Sequence, residues 1–409
     1  MKRVLFVDDE SRVLQGLQRM LFGKRKEWEM HFVEGGLQAL EALGRLDFDV
    51  VVSDIIMPHM QGTALLAAVQ EKFPGVVRII LSGHTDLEAA MRTVHVAHNF
   101  LSKPCAPERL VEVVERACEL NSLMNDADLR GKLCGLDSLP VAPRIYAALT
   151  AALHEPEVSS DDLAAIVERD PGICAKLLQL VNSSFLALPR RISSVKQAIS
   201  YLGVNMLRNL VLTVEVFREF QTSRQAPSFD IDQEQEHATL STCIARRLLP
   251  DPKLTETMSS VGMLHDIGRL ALASSMPVQY EKVSAVSAAD SRPRSEVERE
   301  LLGLSHAEIG GYLLGIWGLP GAVVEPVAFH DRPSTVTHNE FDLLGAIHVA
   351  DALAFEQTAP DRALELDLDY LRSVRVTERL PEWREIARQQ AEQLGLAKAD
   401  CDLDPVVRG

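Results

Sequence analysis

The stretch VVVSDIIMP, residues 50–58, joins a short run of valines to an aspartate and a proline turn. Valine favours strands and proline interrupts strand pairing, so the stretch predicts a buried strand followed by a loop. Apolar runs of the same kind occur at residues 3–7, 30–33, 50–53, 77–81 and 99–101. Helical patterns lie between them, for example at Leu14, Leu17 and Leu21. Strands that alternate with helices predict an α/β domain with a doubly wound, five-stranded parallel sheet.

Polar side chains follow these runs where the strands are predicted to end. They are Asp8, Asp9, Asp54, Ser82 and Lys103. Ligands of doubly wound sheets bind beyond the carboxyl ends of the strands, so we expect these side chains to share one crevice. Three carboxylates repel one another unless a cation lies among them, and their hard oxygens suit Mg²⁺. Beside Mg²⁺ and a lysine, the Asp54 carboxylate is a candidate nucleophile toward phosphorus.

Four motifs in residues 1–120 resemble the response-regulator receiver domain, which has a flavodoxin-like fold. They are VDDE (7–10), SDIIMP (53–58), LSG (81–83) and LSKP (101–104). The resemblance implies that Asp54 is phosphorylated and that Asp8, Asp9 and Asp54 bind Mg²⁺. A sensor histidine kinase or a phosphotransfer protein would supply the phosphoryl group. A degenerate receiver, which keeps the fold without the reaction, is the alternative.

The same resemblance assigns three further roles. Ser82 would be the switch hydroxyl, Lys103 the phosphate-binding lysine, and Phe100 an aromatic side chain that changes rotamer. All the positions that carry chemistry in the family are present in this chain.

Residues 105–135 are predicted to form a connector helix. Leu110, Val114, Ala117 and Leu120 recur at helical spacing within residues 107–133, and Pro107 suits a first helical turn. The apolar stripe indicates either a receiver helix extended into a dimer coil or a helix packed on the next domain. We favour association, which predicts a homodimer through the connector helix.

Helical patterns dominate from residue 136 onward and predict an all-α domain over residues 136–360, with a helical extension over 361–409. The polar stretch at residues 221–236 predicts a loop between two helical subdomains. The motif VGMLHDIGRL, residues 261–270, sets a His-Asp pair between apolar runs. Similar polar positions recur along this region, in or at the ends of predicted helices: His237, His265, Asp266, His306, His330 and Asp351.

These imidazoles and carboxylates form an N/O donor set that suits Mn, Fe, Co, Ni or Zn. A bound metal of this kind lowers the pKa of a water molecule and activates it against a phosphodiester. The bland interpretation is that each histidine is structural, because a His-Asp pair occurs again at residues 330–331.

The order of motifs in residues 130–360 resembles the HD superfamily of metal-dependent phosphohydrolases. The stretches LDSLPVAP (136–143), VERDPGICAKLLQLVNSS (167–184), ISSVKQAISYLG (192–203) and LHDIGRL (264–270) resemble its HDOD branch, the HD-related output domain. The resemblance implies an all-helical signalling output domain, in which an enzymatic role is commonly absent. It carries the metal pattern to the six residues above.

Two departures separate this chain from the HD-GYP cyclic-di-GMP phosphodiesterases. FHDRPSTVTH, residues 329–338, lacks their Gly-Tyr-Pro and their paired histidines, so a two-metal site loses one ligand. Arg269 stands where that family has a lysine. Arginine cannot give up its proton, but it can hold a phosphate, which makes Arg269 a candidate phosphate-binding residue.

Charge argues against some partners. The formal net charge is −16, and almost all of it lies beyond residue 104, since residues 1–104 hold 12 basic and 13 acidic residues. An acidic output half disfavours nucleic acid, and no apolar run reaches the roughly 18 residues of a membrane span. The six cysteines form no CxxC pair, which indicates reduced thiols in the bacterial cytoplasm.

Two functions follow from the sequence. The first is a two-component response regulator in which phosphorylation of Asp54 controls an HDOD domain that acts through protein binding or dimerisation. Its downstream protein partner cannot be named from the sequence. The second is a phosphorylation-regulated, metal-dependent phosphohydrolase or phosphodiesterase that acts on a cyclic or linear nucleotide.

Overall fold

The computed structural model describes residues 1–83, 96–123, 127–134, 136, 143–155, 158–183, 190–213, 226–338, 340–359 and 366–396. Its strands are Lys2–Val7 (β1), Trp28–Val33 (β2), Val50–Ser53 (β3), Val77–Gly83 (β4) and Asn99–Lys103 (β5). They form one parallel sheet in the order β2-β1-β3-β4-β5. This confirms the predicted five-stranded sheet, although β2 begins earlier and β4 and β5 end later than the apolar runs indicate.

The strand order places the candidate phosphorylation residues side by side. Val7 of β1 lies opposite Ser53 of β3, so Asp8 and Asp54 leave neighbouring strands at the same edge. Among the described residues, the helices Ser11–Met20 (α1), Gly36–Leu43 (α2) and Gly62–Lys72 (α3) pack against this sheet, together with the helix that follows β5. Leu14 lies within α1 and is buried there, as the helical pattern in the sequence predicts.

The connector is described as two helices rather than as one. They are Pro107–Leu123 (α4) and Ala127–Cys134 (α5), and residues 124–126 lie outside the described residues. Leu120 of α4 packs on the helical region, where its side chain fills the space beside Gly315. At this position α4 packs on the next domain of the same chain, as the second interpretation of the apolar stripe predicts. Dimerisation through the connector stays a prediction.

The remaining regular structure among the described residues is helical, as predicted. Before the His-Asp motif the helices are Pro143–His154 (α6), Ser160–Val167 (α7), Pro171–Val181 (α8), Val195–Thr213 (α9), Ile231–Leu248 (α10) and Pro252–Leu264 (α11). After it they are Ile267–Ser275 (α12), Pro277–Asp290 (α13), Arg294–Leu302 (α14), His306–Ile316 (α15), Gly321–Phe329 (α16), Leu343–Thr358 (α17), Leu368–Ser373 (α18) and Leu380–Leu394 (α19). Short 3₁₀ turns occur at Phe22–Lys24, Pro333–Thr335 and Thr377–Arg379.

The predicted loop at residues 221–236 is wrong at its C-terminal end. Helix α10 begins at Ile231, because the Asp230 carboxylate accepts hydrogen bonds from the backbone N–H groups of Asp232 and Gln233. An aspartate at this position satisfies N–H groups that the helix itself leaves open, and this outweighs the polar composition of the first turn. Residues 214–225 lie outside the described residues.

The C-terminal extension contributes a helix that covers the domain. Trp383 and Ala387 of α19 are buried, and Trp383 stacks on Phe341 at a ring-centroid distance of 4.9 Å. Most of the LDSLPVAP motif, residues 137–142, and the chain after residue 396 lie outside the described residues. In the described part of the chain, no helix is both long enough and apolar enough to cross a bilayer.

Candidate phosphorylation crevice and metal centre

The crevice at the edge of the sheet is organised by a lysine between two carboxylates. Lys103 is the last residue of β5, and its Nζ lies 2.7 Å from Oδ2 of Asp8 and 2.8 Å from Oδ1 of Asp54. Asp8 is buried, whereas Asp54 and Lys103 are partly exposed. The crevice therefore brings together the predicted nucleophile, one predicted Mg²⁺ ligand and the predicted phosphate-binding lysine.

The charges in the crevice depend on one another. Burial raises the pKa of Asp54, and the contact with Lys103 only partly opposes this shift. Burial lowers the pKa of Lys103, but hydrogen bonds to Asp54 and Asp8 more than offset it, so the net pKa is raised. The lysine stays charged and stands where a cation between the carboxylates would be expected. The carboxylates of Asp8 and Asp54 converge on Lys103, and their oxygen atoms are of the kind that Mg²⁺ prefers.

The structure also locates the other predicted receiver residues. Asp9 is exposed and does not join Asp8 and Asp54 in a three-carboxylate cluster among the described residues. Ser82 is buried near the end of β4, and its hydroxyl donates to the Gly83 carbonyl oxygen at 3.4 Å. Phe100 is buried in β5 with 1 % of its surface exposed.

The six predicted metal ligands meet in the helical region. His237 and Asp351 lie within α10 and α17. His265 and Asp266 lie between the ends of α11 and α12, His306 begins α15, and His330 follows α16. The ligands form two sets, and within each set the donor atoms lie within 4.8 Å of one another. The first set is His237, His265, Asp266 and Asp351. The second set is Asp266, His306 and His330. Asp266 belongs to both sets, and the second set has only three donors.

Three histidines are oriented through their second nitrogen. Nδ1 of His265 donates to the Gly262 carbonyl oxygen at 2.6 Å, and Nδ1 of His330 donates to the Val327 carbonyl oxygen at 2.9 Å. Nδ1 of His306 lies 2.6 Å from Oε2 of Glu298. A hydrogen bond of this kind leaves Nε2 free to bind a metal, which is the usual arrangement of metal-ligating histidines.

The Nε2 atoms lie near the carboxylates of Asp266 and Asp351, at or slightly beyond the separation expected for two ligands of one ion. They lie 3.2 Å (His306) and 3.7 Å (His330) from Oδ1 of Asp266, and His265 Nε2 lies 3.5 Å from Oδ1 of Asp351. Two ligands that each lie about 2.1 Å from one metal ion are about 3.0–3.4 Å apart. The buried Nε2 atoms of His265 and His330 have no hydrogen-bond partner among the described residues. The donor set therefore fits a transition metal.

The electrostatics of the centre favour added positive charge. Burial raises the pKa of Asp266, but the charges of Arg269 and His265 lower it well below its usual value. Burial lowers the pKa of His265, but the Asp266 and Asp351 carboxylates raise it to about 9. The buried carboxylates thus draw a proton or a metal ion toward the same place.

Arg269 holds one of the ligands and borders a pocket. Its Nη1 lies 2.7 Å from Oδ2 of Asp266, and its Nη2 lies 2.6 Å from Oε1 of Glu234. A cavity of about 420 Å³ reaches the centre through Arg269, Glu234 and His237. Phe355 lines the same cavity and stacks on the His237 ring at a centroid distance of 3.9 Å. Arg269 therefore orients Asp266, and its phosphate-binding role stays a prediction.

Sequence reasoning missed Glu234, Glu298 and Phe355. Polar composition predicts a loop at Glu234. However, Glu234 precedes His237 by three residues, a spacing that places both side chains on one helical face. Phe355 follows Asp351 by four residues, which was an available helical signal. Glu298 gave no spacing signal, since it reaches His306 from the preceding helix.

Comparisons with known proteins divide the chain in two. Residues 4–115 match the response regulator receiver domain family, and residues 139–333 match the HDOD domain family. Together with the parallel sheet and the helical region, these matches show that the chain carries a response regulator receiver domain followed by an HDOD domain.

Curated relatives share parts of the chain. Regulatory protein HoxA of Cupriavidus necator is 34% identical over 125 residues, which are 30% of this chain and 25% of HoxA. The transcriptional regulator NtrC of Escherichia coli is 38% identical over 115 residues, 28% of this chain and 24% of NtrC. An uncharacterised protein of Treponema pallidum is 25% identical over 195 residues, 48% of this chain and 38% of that protein. The chain thus spans about a quarter to two fifths of the length of these relatives.

Two solved structures are similar to parts of this chain. A virulence factor from Campylobacter jejuni superposes with a TM-score of 0.50 at 21% identity, over 66% of this chain and 97% of that one. The MmoQ response regulator from Methylococcus capsulatus gives a TM-score of 0.45 at 22% identity, over 64% and 95% of the two chains.

Proposed function

We propose that Asp54 accepts a phosphoryl group from a sensor histidine kinase or a phosphotransfer protein, and that this reaction controls the HDOD domain. The observation that supports the proposal is the Lys103 ammonium between the carboxylates of Asp8 and Asp54. A carboxylate oxygen of Asp54 would attack phosphorus while the bond from phosphorus to the donor nitrogen breaks. Lys103 would then move from carboxylate to phosphoryl oxygens, and Ser82 would donate its hydroxyl to them. Mg²⁺, held by Asp8, Asp9 and Asp54, offsets the charge of the phosphoryl group when bound.

The phosphorylation step is tested with a small phosphodonor in the presence of Mg²⁺. Intact-mass measurement should show a single phosphoryl adduct on the wild-type protein and none on Asp54→Ala. Asp47→Ala removes an exposed carboxylate of the same domain and should be phosphorylated like the wild type. Equal phosphorylation of the Asp54→Ala and wild-type proteins contradicts the assignment.

The output is proposed to be protein binding or dimerisation, controlled by the contact between the two domains. That contact is polar as well as apolar: Gln179 donates to the His98 carbonyl oxygen at 3.0 Å, and Tyr312 donates to Oδ1 of Asn121 at 2.8 Å. A phosphorylated receiver that alters this contact would free surface on both domains. Light scattering of the phosphorylated and unphosphorylated protein measures the association. An unchanged mass in both states contradicts dimerisation as the output.

A second candidate function is metal binding with nucleotide hydrolysis in the HDOD domain. The observation in its favour is the pair of buried Nε2 atoms of His265 and His330 that have no hydrogen-bond partner among the described residues. The candidate ligand His237 lines the cavity. The metal, when bound, would acidify a water molecule. The six candidate ligands of the two sets, which share Asp266, would hold it, and Arg269 would keep Asp266 in place.

Elemental analysis of protein purified without chelator tests this candidate. About one or more transition-metal ions per chain are expected in the wild type and none in a His265→Ala/Asp266→Ala double variant. His338→Ala is the matched control, because that histidine pairs with Asp342 outside the centre. A metal-free wild type that cannot be reconstituted excludes the enzyme. If the protein binds the metal but hydrolyses no cyclic or linear nucleotide, the result supports metal binding and contradicts hydrolysis.

A further inference from the structure

One helical hairpin carries two of the candidate metal ligands. We call residues 306–330 the ligand hairpin: α15 begins with His306, and His330 follows the end of α16. Residues 317–320 join the two helices at the opposite end, about 16 Å away for the 11 residues of α15. Both Nε2 atoms face Asp266 at 3.2 and 3.7 Å. A displacement of this hairpin would therefore move two ligands at once.

Two arginine side chains connect the tip of the ligand hairpin with helix α4 of the receiver. Arg116 of α4 donates from Nη2 to the Leu319 carbonyl oxygen at 2.9 Å. Arg191 donates from Nη1 to the Gly318 carbonyl oxygen at 2.9 Å and from Nη2 to Oε1 of Glu112 on α4 at 2.8 Å. Arg116 thus links one carbonyl oxygen at the tip directly to α4, and Arg191, which itself belongs to the helical region, links a second one to α4 through Glu112.

The first residue of β5 also touches the tip. Gly318 has φ +77°, and a Cβ placed on it would lie 2.7 Å from Nδ2 of Asn99. Asn99 begins the strand that ends at Lys103, the residue that bridges Asp8 and Asp54. One short strand therefore connects the candidate phosphorylation crevice with the tip of the ligand hairpin.

The hairpin has little room to deform along its length. A Cβ on Gly315 would lie 2.7 Å from Leu120 of α4, and a Cβ on Gly311 would lie 2.4 Å from Cβ of Ala328 on α16. At the ligand end, a Cβ on Gly268 would lie 1.9 Å from the His306 carbonyl oxygen. Tightly packed helices shift as units rather than by compressing. Movement at the tip would consequently reach His306 and His330.

We propose that the ligand hairpin couples phosphorylation of Asp54 to metal binding in the HDOD domain. This rests on the proposed function of both sites. Phosphorylation moves Lys103 away from its two carboxylates and shifts β5 and α4. This shift weakens the contacts of β5 and α4 with residues 317–320. The docked, unphosphorylated form holds His306 and His330 toward Asp266 and binds the metal more tightly. Because coupling between two binding sites is reciprocal, the metal opposes the phosphorylated receiver by the same factor.

The test uses Co²⁺, whose d–d absorption reports histidine coordination. Co²⁺ is titrated into the full-length protein at saturating Mg²⁺, with and without beryllofluoride, a tetrahedral mimic of the phosphoryl group. We expect the Co²⁺ Kd to rise about five-fold or more with beryllofluoride, and the beryllofluoride Kd to rise by the same factor with Co²⁺. Asp54→Ala should show no effect of beryllofluoride, which separates occupancy of the receiver from fluoride binding to the metal.

Variants locate the path of the coupling. In an Arg116→Ala/Arg191→Ala double variant the ratio of the two Co²⁺ Kd values should fall to near one. Arg12→Ala/Arg19→Ala removes two exposed arginines of α1 and should keep the wild-type ratio.

Each other result overturns the proposal. A ratio of one in the wild type overturns the coupling alone, and tighter Co²⁺ binding with beryllofluoride overturns its direction. A full-size ratio in the double variant overturns the role of the ligand hairpin. Failure to bind Co²⁺ in any state overturns the metal site and the coupling together.

Discussion

Replacing Glu298 by glutamine should weaken metal binding at His306 while leaving the fold in place. Glu298 lies on α14 with 1 % of its surface exposed. Its Oε2 accepts two hydrogen bonds from His306, one from the backbone N–H at 2.7 Å and one from Nδ1 at 2.6 Å. Glutamine has the same shape and keeps an acceptor oxygen, but it removes the negative charge that holds the imidazole.

The size of the effect follows from the lost charge. A charge-assisted hydrogen bond is about twice as strong as a neutral one. Loss of a partner that orients a metal-ligating histidine costs about 10–100-fold in metal affinity, which corresponds to about 1.4–2.7 kcal/mol. Both donors of His306 keep an acceptor, so the free energy of unfolding should fall by only about 1 kcal/mol.

Optical Co²⁺ titration and urea unfolding measure the two quantities separately. Glu300→Gln is the matched control, since that carboxylate is 57% exposed and pairs with Arg292 at 2.8 Å on the protein surface. It should leave the Co²⁺ affinity unchanged. Equal Co²⁺ affinities for Glu298→Gln and Glu300→Gln would refute the role of Glu298 in orienting His306.

Three further predictions concern packing and pH. Gly268→Ala should abolish Co²⁺ binding, because the added Cβ would overlap the His306 carbonyl oxygen. Gly321→Ala is the control: it has open space around it and should change the unfolding free energy by less than about 1 kcal/mol. Tyr312→Phe removes the hydroxyl that bonds the connector and should cost about 1–2 kcal/mol in urea unfolding. Burial lowers the pKa of His98 well below its usual value, so unfolded chains bind a proton that the folded protein excludes. The unfolding free energy should therefore fall as the pH drops below about 6.5, and His98→Gln should show a shallower fall between pH 7.5 and 5.5.

The parallel sheet and the six candidate metal ligands could be predicted because each depends on local signals. Short apolar runs separated by helical patterns define parallel strands, and the carboxyl ends of such strands meet at one edge. The ligands were found from residue type and order along the chain. The start of α10 was mislocated, and Glu234 was missed with it, because a single capping aspartate outweighed polar composition.

The two His-Asp pairs show what local sequence leaves open. His265-Asp266 and His330-Asp331 are the same dipeptide. Asp266 lies at the centre of the metal-ligand cluster, whereas Asp331 pairs with Arg299. The difference comes from the helices that surround each pair.

The partner of the connector was likewise decided by tertiary structure. Helical spacing establishes that α4 has an apolar face, but a helix of a second chain or of the same chain can cover such a face equally well. Contacts such as Asn121 with Tyr312 and Arg116 with Leu319 join residues about 200 positions apart. Their geometry depends on how closely whole elements pack, and small residues such as Gly315 allow that approach only in the folded chain. The sequence by itself indicated the two domains and the residues of their candidate sites, whereas the close packing of distant helices determined how the domains are joined.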